Sequence, residues 1–361
     1  MALDLGDIIL LGIWAIFIIL AVLFIYRTTT KNREANILSL GVIFGTIGIS
    51  FAAYRPFFPK ESFVYSNYWI ISNGIFYLLM YFFIYIHFSL ADRAAPSIPL
   101  TVVLAGLLGL GIGTSITLLS LAEHPSQLIM INDFSHDSLK FLSFLYATIV
   151  VWKTWKVTEE RNGLIELLSL IIFLITVIPA IIGNYFKGIG ISGELFMIGD
   201  ILSFIGIVLL TSNYIINPDY LYRIPKPLYQ VALFNTTGLT IYSKAVKSKG
   251  IDIEKIPTQV ISAIITAVSA IMKEGISENT RLLRVEATNH TLLFSDRGDI
   301  TAMILCERPT YFIKKSLDHF LKFMPNDIIE KLEKSVTGID DETVAQIDKI
   351  LVKAYPYIDF I

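Results

Sequence analysis

Residues 1–216 carry seven apolar stretches and residues 217–361 carry none, so the chain divides into a half that needs lipid and a half that does not. The stretches cover 8–26, 36–55, 68–90, 98–121, 138–156, 164–186 and 192–216. A helix needs about 20 residues to cross a ~30 Å hydrocarbon core, and each stretch is of that length. The expected fold is an all-α seven-helix membrane bundle (1–216), a proline-rich connector (217–227) and a cytoplasmic α/β domain (228–361). The first stretch is too long for a signal peptide, and Asp4 and Asp7 precede it where basic residues would stand.

Charge follows the same division. The first 216 residues hold 11 Lys/Arg and 13 Asp/Glu, whereas the last 145 hold 18 of each. Neither half is basic enough to point to nucleic acid. Orientation comes from the short loops. One set carries Arg27, Lys31, Arg33, Arg93, Lys153, Lys156, Arg161, Arg223 and Lys226, and the other carries Arg55, Lys60, Lys140 and Lys187. Nine against four places the N-terminus outside and the C-terminal domain in the cytoplasm. The single cysteine, Cys306, excludes an intrachain disulfide and a multi-cysteine zinc site, and its apolar run (Met303–Cys306) is the setting of a buried, inert thiol.

The connector holds Pro218, Pro225 and Pro227, which makes it short and stiff. Beyond it, strands are expected at 228–234 and 239–243 around the turn Asn235-Thr236-Thr237-Gly238. An amphipathic helix follows at 253–273, with Ile256, Val260, Ile264, Val268 and Ile271 at helical spacing. Strands at 281–287, 291–295 and 299–306 and helices at 311–324, 326–335 and 341–354 complete the order. That order, with "ALFNTTGLTIYS" and "HTLLFSDRGDITAMILCERP", resembles the longin and roadblock domains over residues 228–336. The resemblance implies a five-stranded antiparallel sheet with helices on its faces, and a platform for protein partners such as small GTPases. Profilin-like and PAS-like sensory domains share a related order.

In the membrane half, "YIHFSLADRAAPSIP", "VVWKTWKVTEERNG" and "LLTSNYIINPDYLYRIPKPLYQV" resemble the seven-transmembrane sensor module of prokaryotic membrane histidine kinases. No phospho-acceptor histidine segment or ATP-binding box follows residue 216, so the resemblance implies a sensor whose output is binding. A retinal protein would need a lysine in the last span, and Lys187 precedes it. A presenilin-type protease would need Gly-x-Gly-Asp, which "MIGD" at 197–200 does not supply. No nucleophile–base set, metal cluster or phosphate loop is present, so neither enzyme activity nor a cofactor is expected.

Ionisable groups inside a membrane are costly and mark candidate sites. Asp200 lies within the last stretch with Glu194 before it, and Arg55 at the outer end of the second is their expected electrostatic partner. Asn73, Asn184, His124 and His136 are weaker candidates for sensing an external or membrane-borne ligand. Each has a plainer reading as an interhelical hydrogen bond or an interfacial group. Gly41, Gly45 and Gly48, and likewise Gly106, Gly109 and Gly113, permit close helix contact within the chain. The sequence therefore leads to a sensor or receptor-like protein, with a passive scaffold and a transporter with a regulatory domain as the alternatives.

Overall fold

A computed structural model describes residues 5–30, 36–92, 96–121, 123–158, 161–185, 192–216, 228–235, 239–246, 283–286, 290–307, 309–335, 339–355, 358 and 360–361. The expected connector (217–227) and the amphipathic helix at 253–273 lie outside the described residues. The chain divides into two compact units, one ending at Leu221 and the other running from Tyr222 to Ile361.

In the first unit, helices stand at all seven apolar stretches. They are α1 (Leu5–Thr30), α2 (Asn36–Tyr54), a rod built of α3 (Phe63–Ile71), a π-helical segment (Ser72–Tyr77) and α4 (Leu78–Asp92), then α5 (Ile98–Ser120), α6 (Ser126–Thr158), α7 (Arg161–Tyr185) and α8 (Ser192–Ile216). Four of these rods, Ile37–Phe57, Phe63–Asp92, Ile98–Ser120 and Arg161–Ile178, are long and apolar enough to cross a membrane, not the seven expected. In α1 and α8 the described apolar parts are shorter, Leu11–Tyr26 and Ile201–Ile216. The helix α6 falls short because its first half holds Asn132, Asp133, His136, Asp137 and Lys140.

The packing is cyclic: α1 lies against α2 and α8, α2 against the α3–π–α4 rod, that rod against α6, α6 against α7, and α7 against α8, with α5 against the rod and α6. Hydroxyls inside these helices bond back to carbonyls one turn earlier, as Thr46 Oγ1 donates to Val42 O (2.8 Å) and Ser169 Oγ to Ile165 O (2.7 Å). That local pairing lets Ser and Thr sit in apolar helices at little cost. The expectation about glycines is half right. A side chain at Gly45 would strike Met80 and one at Gly48 would strike Tyr77, so α2 does approach the α3–π–α4 rod through them. Gly106, Gly109 and Gly113 have nothing within 4 Å, and the close approach of α5 is made at Gly111, against Leu78 and Ser135.

The second unit contains β1 (Leu228–Phe234), β2 (Thr240–Ala245), β3 (Arg284–Glu286), β4 (Thr291–Arg297) and β5 (Ile300–Cys306), and the helices α9 (Tyr311–Phe323), α10 (Asn326–Lys334) and α11 (Asp341–Ala354). The strands form one antiparallel sheet in the order β2-β1-β5-β4-β3. Alternation sets its two faces. Val231, Leu233, Ala302, Ile304 and Cys306 pack with Ile313, Leu317 and Phe320 of α9 and Leu332 and Ile347 of the later helices. Ala232, Phe234, Phe294 and Met303 form a separate buried cluster. Both sets being buried explains why β1 and β5 read as unbroken apolar runs.

The helices start where a side chain caps them. Thr310 accepts from the Ile313 N–H (3.2 Å), and Asp340 from the Thr343 N–H (2.7 Å). That bond and the Thr343 hydroxyl hold the Asp340 carboxyl below its usual range. The Asn235 side chain closes the β1–β2 hairpin by accepting from Leu239 N–H (2.9 Å). Tyr242 donates to Asp348 (2.5 Å) and thereby joins β2 to α11, and its phenol is raised by burial and by that carboxylate. Cys306 is fully buried, and burial pushes its thiol up to about 12.

The charged turn Asp296, Arg297 and Asp299 reads from sequence as a solvated feature, and at Arg297 that reading is corrected. Its Nη1 donates to Leu321 O (2.6 Å) and Met324 O (2.6 Å), and its Nη2 to Asn326 Oδ1 (2.7 Å). Arg297 therefore caps the C-terminal end of α9, where carbonyls lack helical partners. Gly298, at φ +61°, makes the tight turn that brings Arg297 there.

Candidate functional site

The first half of α6 departs furthest from the sequence reading. The stretch 126–137 reads as an outer loop, yet α6 begins at Ser126. Asn132, Ser135, His136, Lys140 and Ser143 recur at helical spacing, so they share one face, and that face is turned into the bundle. Asn132, Ser135, Asp137, Lys140 and Ser143 are all buried. Lys140 is thus no loop residue, and removing it from the outer set sharpens the cation asymmetry.

The stripe contains two kinds of group. Near the start of α6, Asn132 Nδ2 lies 2.6 Å from Ser115 Oγ, 3.0 Å from Gly111 O and 3.1 Å from Thr114 Oγ1. Ser115 Oγ lies 3.0 Å from Gly74 O in the π-helical segment and 2.8 Å from Gly111 O. A π turn leaves carbonyls off the ordinary ladder, and here a hydroxyl from a neighbouring helix takes one up. This knot joins the rod, α5 and α6, and its donors are satisfied, as a packing device requires.

One turn further along α6 the pattern changes. His136 Nδ1 lies 3.2 Å from Asp137 Oδ1, and its ring meets Tyr81 edge-on with centroids 5.4 Å apart. His136 Nε2 is buried without a hydrogen-bond partner, and so is Ser143 Oγ seven residues on. With Nδ1 held by the Asp137 carboxylate, Nε2 is the free end of the ring. A buried polar atom left without a partner costs about 1–3 kcal/mol. The two atoms lie about two turns apart along α6, with the buried Asp137 and Lys140 between them in sequence.

Where α7 meets α8 a third polar contact ties the helices. The Tyr214 hydroxyl donates to the Glu166 carboxylate, and Asn213 Nδ2 donates to Asn162 O (3.2 Å). All of Glu166, Asn213 and Tyr214 are buried.

Of the residues expected from sequence, Asp200 and Glu194 lie on α8 and Asn184 on α7, with side chains outside the described residues. Asn73 is half-buried in the π-helical segment. His124 packs its ring against Trp69 at 6.4 Å. Arg55 lies over the rings of Tyr65 (4.8 Å) and Tyr68 (4.7 Å). Only His136 belongs to the α6 stripe. Asn132 and Asp137 were missed because a hydropathy window starts the span at 138, Lys140 because it was counted with the outer-loop cations, and Ser143 because one hydroxyl in an apolar run carries no signal of its own. The spacing 132, 136, 140, 143 was the signal that could have found them. Among the described residues no group of three or more His, Cys, Asp or Glu could hold a metal ion.

Comparison with known proteins adds nothing to this geometry: no family model, no curated protein and no solved structure matches the chain.

Proposed function

We propose that this chain is a seven-span membrane sensor or receptor-like protein, with its N-terminus outside and a cytoplasmic longin-like domain that binds a protein partner. Seven helical rods at the expected positions and the cation asymmetry of the loops support the membrane arrangement. The observation that carries the sensing role is the stripe on α6. Burying Asp137 and Lys140 inside a bundle is expensive. A packing role accounts for the satisfied Asn132 knot, and it leaves His136 Nε2 and Ser143 Oγ unexplained.

A ligand that meets these atoms better in one arrangement of helices than in another shifts the population toward that arrangement. The α7–α8 contact at Glu166 and Tyr214 then offers a path to the end of the last span. The output follows from the resemblance of residues 228–336 to longin and roadblock domains, which implies a small GTPase as the partner class.

The test uses the full chain in lipid nanodiscs to capture the cell's small GTPases, loaded with GDP or with a GTP analogue. Wild-type protein captures one nucleotide state, and His136→Gln or Ser143→Ala changes the amount captured. Equal capture by all three proteins makes the bundle a passive anchor. Capture of neither state removes the GTPase as the partner.

A further inference from the structure

Arg55 closes α2 in a 3₁₀ turn, Arg55–Phe57, with Pro56 fixing the bend. Its guanidinium carbon lies 4.8 Å from the ring centre of Tyr65 and 4.7 Å from that of Tyr68, so two aromatic faces hold it. Nη2 lies 3.4 Å from the Tyr65 hydroxyl, and Nε is buried without a partner. Among the described residues no carboxylate stands within ion-pair distance of Arg55.

A guanidinium stays charged in any protein setting. This one is half-buried at the end of an apolar helix, with no carboxylate partner among the described residues. Around it Tyr54, Phe57 and Phe63 are 40 %, 55 % and 57 % exposed. Exposed aromatic rings at the end of a membrane helix belong to the headgroup boundary. The anion met at that depth is phosphate, and the planar fork of Arg matches its oxygens. Lys60, exposed in the same short link, adds a second cation.

The geometry points to a binding site for a phosphate oxyanion at Arg55, held in place by Tyr65 and Tyr68. The phosphate is either the headgroup of a membrane lipid or an anion from solution. This site is separate from the α6 stripe and stands whether or not the sensor reading does.

Native mass spectrometry of the delipidated full chain in neutral detergent tests it. Three probes are titrated: phosphatidylglycerol, a monoglucosyl diacylglycerol with the same tails and no phosphate, and inorganic phosphate. Phosphatidylglycerol binds the wild type, and Arg55→Gln weakens that binding by about tenfold or more, the loss of a charge-assisted hydrogen bond. The glycolipid binds both proteins alike. Competition by inorganic phosphate in the wild type and not in Arg55→Gln keeps the site and assigns its ligand to solution. Where Arg55→Gln does not fold, Arg55→Lys retains the cation without the fork and binds several-fold more weakly than wild type. Phosphatidylglycerol affinity unchanged by the substitution overturns the proposal.

Discussion

At the scale of single residues, Gly74 shows how tightly the α6 knot is built. A β-carbon placed there would collide with Ser115 Oγ and lie 3.1 Å from Asn132 Nδ2. Overpacking of this kind costs about 1–3 kcal/mol. Gly74→Ala should therefore lower stability by that order in chemical denaturation of the full chain, and adding Ser115→Gly should restore part of it. Gly106→Ala and Gly113→Ala, with open space at both positions, should leave stability unchanged or slightly raised. Equal losses at all three positions would contradict the packing described. None of this was legible in the sequence, where the glycines of α5 look alike. Which glycine meets a neighbour depends on the rotation of α5 about its axis, and an almost uniformly apolar helix carries no periodic signal to fix that rotation.

The legibility of whole elements depended on how strongly one period dominated. The expected helices at 311–324, 326–335 and 341–354 appear as Tyr311–Phe323, Asn326–Lys334 and Asp341–Ala354, because apolar residues at helical spacing face one sheet. The strands were equally plain; β3 is described over Arg284–Glu286, and residues 281–282 and 287 of the expected 281–287 lie outside the described residues. In the membrane half, apolar length found the rods and misplaced their starts, α6 by twelve residues. Hydropathy assumes that a membrane helix faces lipid, and α6 turns its polar side inward. Arg297 makes a comparable point in the soluble unit, since a charged turn residue proved to cap a helix 24 residues away in sequence. Arg297→Ala removes the donor to Leu321 O, Met324 O and Asn326 Oδ1 and should cost about 3 kcal/mol, each lost bond being worth about 1. Thermal unfolding followed by circular dichroism measures it, and a change below ~0.3 kcal/mol would mean that water replaces the guanidinium at those carbonyls.

The whole chain comprises a bundle with an inward polar stripe and a five-stranded domain whose sheet is buried on both faces. The proposed sensing role requires α6 to cross the membrane, although it is not among the four helices that length and composition single out. If α6 crosses, its two ends face opposite sides and the stripe lies within the bilayer. If it does not, the stripe is buried polar packing outside the bilayer, and the sensing site goes with it. Replacing the one native cysteine by Cys306→Ser allows single-cysteine mapping at either end, with Glu123→Cys before the helix and Arg161→Cys after it. In intact cells a membrane-impermeant maleimide should label Glu123→Cys at once and Arg161→Cys only after permeabilisation. Labelling of both positions from one side would show that α6 does not span and would remove the sensing site from the bilayer.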